Sequence, residues 1–310
     1  MTRVRGPVAL PAPMRVFERG WLSSNSVLFD EGDALGIVDT GYVSHAPLLV
    51  QLVEQACRGR PLARIVNTHL HSDHVGGNAA LRARFGPTVT IPPGLAGAVR
   101  RWDEARLGFA ATGQRCPRFD YDTLIDPGQP LRLGGMDWQV LDGGGHDRAM
   151  VLLFCPDERI LLSADALWEN GFGILFPELE GESGFAEQQA VLEHIEHLAP
   201  RVVVPGHGAP FAEVGAALER ALRRLESFRS DPERNARHAS RVLIKFWLLD
   251  VRSTSLPALH EHFARTEYLP LIHRRYFAGH DFAQMIDAYV GELVRVGAAE
   301  FAGGLLHNRD

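Results

Sequence analysis

The sequence predicts an α/β fold with a small helical domain appended at its C-terminal end. Three observations predict it. Short apolar strands alternate with helical patterns up to about residue 230. Residues of metal-binding type recur where those strands end. Beyond Ser230-Asp231-Pro232 the patterns are almost wholly helical. We read two domains on this basis, 1–230 and 231–310.

Met14 to Trp21 and Ser26 to Phe29 read as strands. Asp30-Glu31-Gly32-Asp33 turns the chain into a third, Ala34 to Val38, which ends on Asp39-Thr40-Gly41. Pro47 to Arg58 places Leu48, Leu49, Leu52, Val53 and Ala56 at helical spacing, and Gly59 and Pro61 stop it. Arg64 to Asn67 is a short buried strand, and Val75-Gly76-Gly77-Asn78 opens a helix running to about Phe85. Thr88 to Ile91 is a strand closed by Pro92-Pro93. Gly94 to Asp126 is irregular, with a helix near Leu95 to Leu107; it reads as an active-site lid or as a surface helix with solvated arginines.

Four strands follow, at Leu131 to Leu133, Met136 to Leu141, Met150 to Phe154 and Ile160 to Ala164. Trp168 to Gly184 is rich in glycine and aromatics and reads as a loop. Phe185 to Leu198 is a helix, Arg201 to Val204 a buried strand, and Val214 to Phe228 a helix. In the C-terminal part, helical patterns lie at Arg234 to Leu249, Ser255 to Ala264 and Asp281 to Val296, and Gly297 to Leu306 reads as a short β-wing. Three helices and a wing suggest a winged-helix-like domain.

Bulk properties exclude several classes. A net charge of -6 argues against a surface built to coat nucleic acid. The three cysteines, Cys57, Cys116 and Cys155, form no CxxC pair and no disulfide framework, which fits a reducing cytosol. Met1 to Pro13 is broken by prolines and too short for a signal peptide, and no apolar run approaches the ~18 residues of a membrane span. We expect a cytoplasmic protein with a small-molecule substrate and no membrane partner, a nucleic-acid partner being disfavoured and a homodimer left open.

The chemistry is concentrated in Thr68-His69-Leu70-His71-Ser72-Asp73-His74, which packs three histidines and an aspartate into six positions between a strand and a helix. Imidazole and carboxylate together suit zinc and its first-row neighbours. Further candidates sit at other strand ends: His146 after Gly143-Gly144-Gly145, Asp165 after Ile160 to Ala164, and His207 in Pro205-Gly206-His207-Gly208. Strand ends on one edge of a sandwich converge in space, so these distant residues can meet. Of the other histidines, His194 and His197 read as a solvated helix face, and His260, His262, His273 and His280 as structural or surface groups.

Asp39-Thr40-Gly41, the His-x-His-x-Asp-His run, His146, Asp165 and Pro205-Gly206-His207-Gly208 together resemble the motif series of the metallo-β-lactamase-fold hydrolases, over about residues 14 to 225. Within that superfamily the chain is similar to the glyoxalase II-like branch, which holds hydroxyacylglutathione hydrolases and related thioesterases and lactonases. The resemblance implies a four-layer αβ/βα sandwich with a dinuclear metal site between two sheets. It implies that His69, His71 and His146 bind one divalent ion, that Asp73, His74 and His207 bind a second, and that Asp165 bridges them. Zinc is the first expectation, with iron or manganese as alternatives. The nucleophile would be a metal-bridging hydroxide, since a zinc-bound water has a pKa near about 7. Asp73 would orient it and pass a proton to the leaving group. Asp39 would hold the metal turn by hydrogen bonds from behind.

Three departures narrow the family reading. Asp147-Arg148-Ala149-Met150 follows His146 where many relatives carry a small-residue turn. Asp165 stands where a true β-lactamase has a cysteine ligand. Only about 40 residues separate Asp165 from His207, an interval into which the nuclease branch inserts a domain. Trp168, Phe172, Phe176 and Tyr121 are candidates to line the substrate pocket. Arg274-Arg275-Tyr276 reads as a surface pair or as a contact to a substrate carboxylate. The expected activity is hydrolysis of a thioester, ester or lactone. A mononuclear iron sulfur dioxygenase on the same fold is the alternative, and a nucleic-acid-binding role for the C-terminal domain is the third reading.

Overall fold

Successive residues of a strand point to opposite faces, so a strand buried on both sides must feed two cores. The central strands do this. Ile37 and Ile65 enter one core and their neighbours Val38 and Val66 another. Leu161 and Val203 enter a third, while Leu162 and Val204 join the second. The second core therefore lies between two sheets, and the first and third lie beneath helices on their outer faces. The computed structural model describes residues 8–309, so part of the Met1 to Pro13 stretch read for a signal peptide lies outside the described residues.

The first sheet is built from β1 (Met14–Phe17), β2 (Ser26–Asp30) and β3 (Leu35–Val38), then α1 (Ala46–Cys57), β4 (Leu62–Val66), α2 (Ser72–Val75), α3 (Asn78–Phe85), β5 (Thr88–Ile91), α4 (Ala96–Arg101), α5 (Phe109–Thr112) and β6 (Thr123–Leu124). Its strands run in the order β1-β2-β3-β4-β5-β6, antiparallel up to β3 and parallel from there on. The second sheet uses β7 (Pro130–Leu133), β8 (Met136–Asp142), β9 (Val151–Cys155) and β10 (Ile160–Ala164), then α6 (Phe176–Glu180), α7 (Phe185–Leu198), β11 (Val202–Pro205) and α8 (Val214–Ser230). Its order is β11-β10-β9-β8-β7, with only β10 and β11 parallel. The result is the four-layer αβ/βα sandwich.

The C-terminal region contains α9 (Pro232–Val251), β12 (Ser253–Thr254), α10 (Leu256–Arg265), α11 (Tyr268–Tyr276), α12 (Phe282–Arg295) and the hairpin β13 (Ala299–Ala302) and β14 (Leu305–Asn308). Its core includes Leu243, Ile244, Phe263, Ile272 and Ile286, together with Ile174 and Leu179 from the segment before and within α6. The helical region thus packs on the sandwich next to the strand-end segment that follows Asp165.

Several elements differ from the sequence reading. The first strand stops at Phe17, because the chain turns out of the sheet and leaves Trp21 56% exposed. Asp73 and His74 lie within α2 rather than on a bare turn, and α3 starts only after Gly76 and Gly77. The helix placed over Leu95 to Leu107 ends at Arg101, where Trp102 adopts a left-handed conformation (φ 57°). The loop placed over Trp168 to Gly184 contains α6, and a fourth C-terminal helix, α11, stands where none was read. The Tyr268 to Tyr276 stretch is only nine residues long and carries Pro270 near its start, where proline reads as a breaker.

Gly77 shows what holds α2 in place. A Cβ there would lie 2.4 Å from the Thr40 carbonyl oxygen, which is backbone and cannot swing away. Gly77→Ala is expected to destabilise the fold by about 1–3 kcal/mol through overpacking. An unshifted denaturation midpoint in urea would reject this account.

Candidate metal centre

The donors converge because their strands end on one edge. β10 and β11 are parallel neighbours, so Asp165 and His207 leave the sheet side by side. His69 to His74 follow β4 in the other sheet. The two edges are tied directly: the Val151 amide donates to the Thr68 carbonyl at 2.9 Å. Asn25 provides a second tie that the sequence did not point to. Its amide nitrogen donates to the Gly206 carbonyl at 2.6 Å, and its side chain donates to the Pro205 and Gly208 carbonyls at 3.0 and 2.7 Å. The Ser24 amide donates to the Asp73 carbonyl at 2.9 Å.

Three overlapping groups result: His69, His71 and His146; His69, His74 and Asp165; and Asp73, His74 and His207. Within each, the donor atoms lie within 4.8 Å of one another. All seven predicted donors are therefore brought together. In the first group His71 Nδ1 lies 3.0 Å from His69 Nε2 and 2.8 Å from His146 Nε2. His146 Nδ1–H donates to the Ile174 carbonyl at 2.6 Å, which bares the Nε2 lone pair to the cluster. On the outer side of His71, Nε2 faces the Asp147 carboxylate at 3.7 Å. Burial pushes the His71 and His146 imidazoles down to about 4, and burial with the neighbouring histidines holds His69 well below its usual value. Three ring nitrogens this close can share an N–H hydrogen bond across only part of the cluster, whereas inward lone pairs on all three suit a cation, so the donor set fits a bound metal.

The second group is anchored from behind. Asp39 accepts from the His74 ring at 2.8 Å through Oδ2, and from the Thr68 amide and hydroxyl at 2.9 and 2.7 Å. This aims His74 Nε2 inward, where it is buried without a hydrogen bond, 3.5 Å from Asp165 Oδ1. Burial lowers the His74 pKa, but Asp39 and Asp165 outweigh it and hold the imidazole well above its usual value. The surroundings of His74 thus call for positive charge. Burial pushes Asp165 up, and His74, His207 and His146 together pull it well below the usual carboxylate range. Asp165 Oδ2 lies 3.4 Å from His146 Nε2 and 3.9 Å from His207 Nε2, so one carboxylate faces both groups. Asp73 Oδ2 lies 3.1 Å from His207 Nε2.

His71, Asp73, His146, Asp165 and His207 line a cavity of about 540 Å³, with His69 and His74 buried behind them. Trp168 lines it and donates its indole N–H to Asp165 at 3.2 Å. Phe176 also lines it, its ring 5.2 Å from His71. The other two pocket candidates do not line it. Phe172 is fully buried under α8, its ring 6.2 Å from Phe228. Tyr121 packs in the outer core of the first sheet and accepts from Arg100 at 2.9 Å. Aromatic content alone does not say which face a ring takes, and Phe172 turns from the cavity to pack against Phe228 of α8. Arg274, Arg275 and Tyr276 are likewise away from the cavity, with Tyr276 donating to the Glu178 carbonyl at 3.2 Å. Leu107, Phe109 and Gln114 of the 94–126 segment form one wall, and Tyr268 and α9 another.

Trp21 was missed as a site residue. Its ring stacks on His207 at 5.6 Å, nearly coplanar at 9°, and meets Trp168 edge-on at 5.3 Å. A local signal was present: Trp21-Leu22 leads into the polar run Ser23-Ser24-Asn25-Ser26, in which every residue proves buried. Among the described residues no helix is long and apolar enough to cross a membrane.

A family model described as the metallo-beta-lactamase superfamily matches residues 19–207. A hydroxyacylglutathione hydrolase from Methylococcus capsulatus is 33% identical over 185 residues, covering 56% of this chain and 62% of that protein. One from Cereibacter sphaeroides is 28% identical over 210 residues, covering 67% and 72%. The chain spans less than two thirds of the Methylococcus capsulatus relative and 43% of a Rhodopseudomonas palustris protein of the same name. Among solved structures, a beta-lactamase domain protein from Burkholderia ambifaria aligns with a TM-score of 0.61 at 19% identity, over 99% of this chain and 97% of that one. A metallo-beta-lactamase family protein from Thermus thermophilus gives 0.55 at 20%, over 97% and 100%. At these identities the likeness is one of fold, and it reaches through the C-terminal helices. With the motif series, the four-layer sandwich and a family model spanning residues 19–207, the chain belongs to the metallo-beta-lactamase superfamily.

Proposed function

We propose that this chain is a metal-dependent hydrolase of a thioester, ester or lactone, working with two divalent ions. His69, His71 and His146 would hold one ion and Asp73, His74 and His207 the other, with Asp165 placed between the two groups. The observation that carries this reading is the convergence of seven donors in three overlapping groups at the end of one cavity. The hydroxyacylglutathione hydrolase relatives support the same class of reaction.

When bound, such ions supply a water with its pKa lowered to about 7 and a Lewis acid for the carbonyl oxygen. The chain does the rest. Asp39 and Asp147 orient His74 and His71 from behind. Asp73 faces the cavity, where its carboxylate orients the attacking water and carries a proton to the leaving group. Trp168 and Phe176 offer apolar surface to the substrate beside the donors, and Trp21 shields the His207 side from bulk water. We assign these roles to residues 1–230, and the cavity wall made by α9, Tyr268 and α12 to 231–310.

Removal and return of metal tests the reading. Protein purified without added metal is expected to carry two ions per chain by mass spectrometry, zinc first among them. Chelation should abolish hydrolysis of a thioester, ester and lactone panel, and restoring the ion should recover it. A folded, metal-free protein with full turnover rejects the proposal. One iron per chain with oxygen consumption replaces it with the sulfur dioxygenase reading.

A further inference from the structure

The cavity that starts at the metal donors continues between α8, α9 and α12, and its far end is basic. Arg224, His238, Arg241 and Lys245 line it there, with Glu292 as the facing acid. Between the two ends the walls are mostly apolar, including Ile174, Val242, Phe246, Leu249 and Leu293.

The far-end charges are not equivalent. Arg241 is paired with Glu292 at 2.7 Å. Lys245 donates to the Ala298 and Arg309 carbonyls and to Asn308 at 2.6–2.7 Å. His238 is pushed down to about 4 by burial, Arg224 and Arg241, so it is neutral near pH 7. Arg224 is different: among the described residues its guanidinium has no carboxylate partner and no hydrogen bond. Its neighbours are the Phe172 ring, 6.0 Å away, and Gly171, where a Cβ would collide with the guanidinium. The side chain is half-buried, and burial lowers its pKa, which marks the cost of leaving the charge unpaired.

We infer that Arg224 is the anchor for an oxyanion at the distal end of the substrate. The substrate class is then a thioester or ester of an amphipathic acid, with its carbonyl at the metal donors, an apolar middle along the cavity and a terminal carboxylate or phosphate at Arg224. The guanidinium fork matches either oxyanion bidentately. The inference rests on the hydrolase reading for the carbonyl end and on Arg224 alone for the distal end.

The test compares adipoyl, phosphonate-ended and neutral heptanoyl thioesters of N-acetylcysteamine on the metal-loaded protein. We expect kcat/KM to favour the anionic acyl chains over the neutral one by about tenfold or more, the size of one charge-assisted pair. The carboxylate and phosphonate arms show which oxyanion is preferred. In Arg224→Met the ratio of anionic to neutral should collapse through KM, and Arg224→Lys should restore part of it. Equal rates for anionic and neutral chains in the wild type, or an unchanged ratio in Arg224→Met, overturns the inference. If the wild type hydrolyses none of the three, thioesters of this kind are not its substrates, and the ester and lactone panel tests the hydrolase reading. Calorimetry with adipate then decides the anchor by itself: binding weakened about tenfold or more in Arg224→Met upholds it, and no adipate binding to the wild type overturns it.

Discussion

Asp165→Ala is expected to reduce hydrolysis by at least ~10²–10³-fold, comparable to the loss of a key transition-state donor, and to lower the metal content. The physical reason is position. One Asp165 oxygen lies 3.5 Å from His74 Nε2, and the other 3.4 Å from His146 Nε2 and 3.9 Å from His207 Nε2. No other carboxylate among the described residues touches both donor groups in this way. The site is also built tightly around it: a Cβ on Gly206 would collide with Asp165 Oδ1, and Trp168 donates to the same oxygen. Asp165→Asn keeps the volume while removing the charge, so it separates packing from metal binding. Full metal content with wild-type turnover in Asp165→Ala would refute the assignment of Asp165.

Asp39→Ala should cost about 3–5 kcal/mol of stability, the range for removing one partner of a buried charged pair, and about 10–100-fold in metal affinity. Three donors lose their acceptor at once: the Thr68 amide, the Thr68 hydroxyl and the His74 ring nitrogen. Asp39 is 4% exposed, so water does not readily replace it. Its backbone is left-handed (φ 56°), a conformation that aspartate and asparagine tolerate better than alanine. Asp39→Asn therefore relieves the backbone penalty, still accepts from Thr68, and should recover stability before it recovers metal binding. Thermal unfolding and metal titration measure the two effects separately. Equal loss of both in Asp39→Asn would mean that the residue supports the fold and does not tune the ligand.

The sandwich was legible because its signals are local. Ile160 to Ala164 is a continuous apolar run and proves buried at every position. Glycine-rich or turn-forming stretches after Leu141, Ala164 and Val204 marked where polar donors leave the sheets. The same local logic failed where faces must be chosen. Phe172 and Phe176 look alike in sequence, yet one is sealed under α8 and the other stands over His71. Tyr121 was placed in the pocket for its chemistry and belongs to an outer core. The α11 helix went unread because it is short and carries Pro270 in its first turn, and its packing against α6 and α9 is what stabilises it.

The sequence by itself marked the strands, the helices and seven candidate metal-binding side chains, because strand period, turn residues and ligand type are properties of a few consecutive positions, and the layering followed from the resemblance of its motif series. Only the tertiary structure decided what surrounds those donors. Asn25 reaches the Pro205 carbonyl across 180 positions. Trp21 lies on His207, and Arg224 of α8 looks into the same cavity as Asp73. None of these has a local signature of partnership, since each contact exists only where separate elements pack against one another and exclude water.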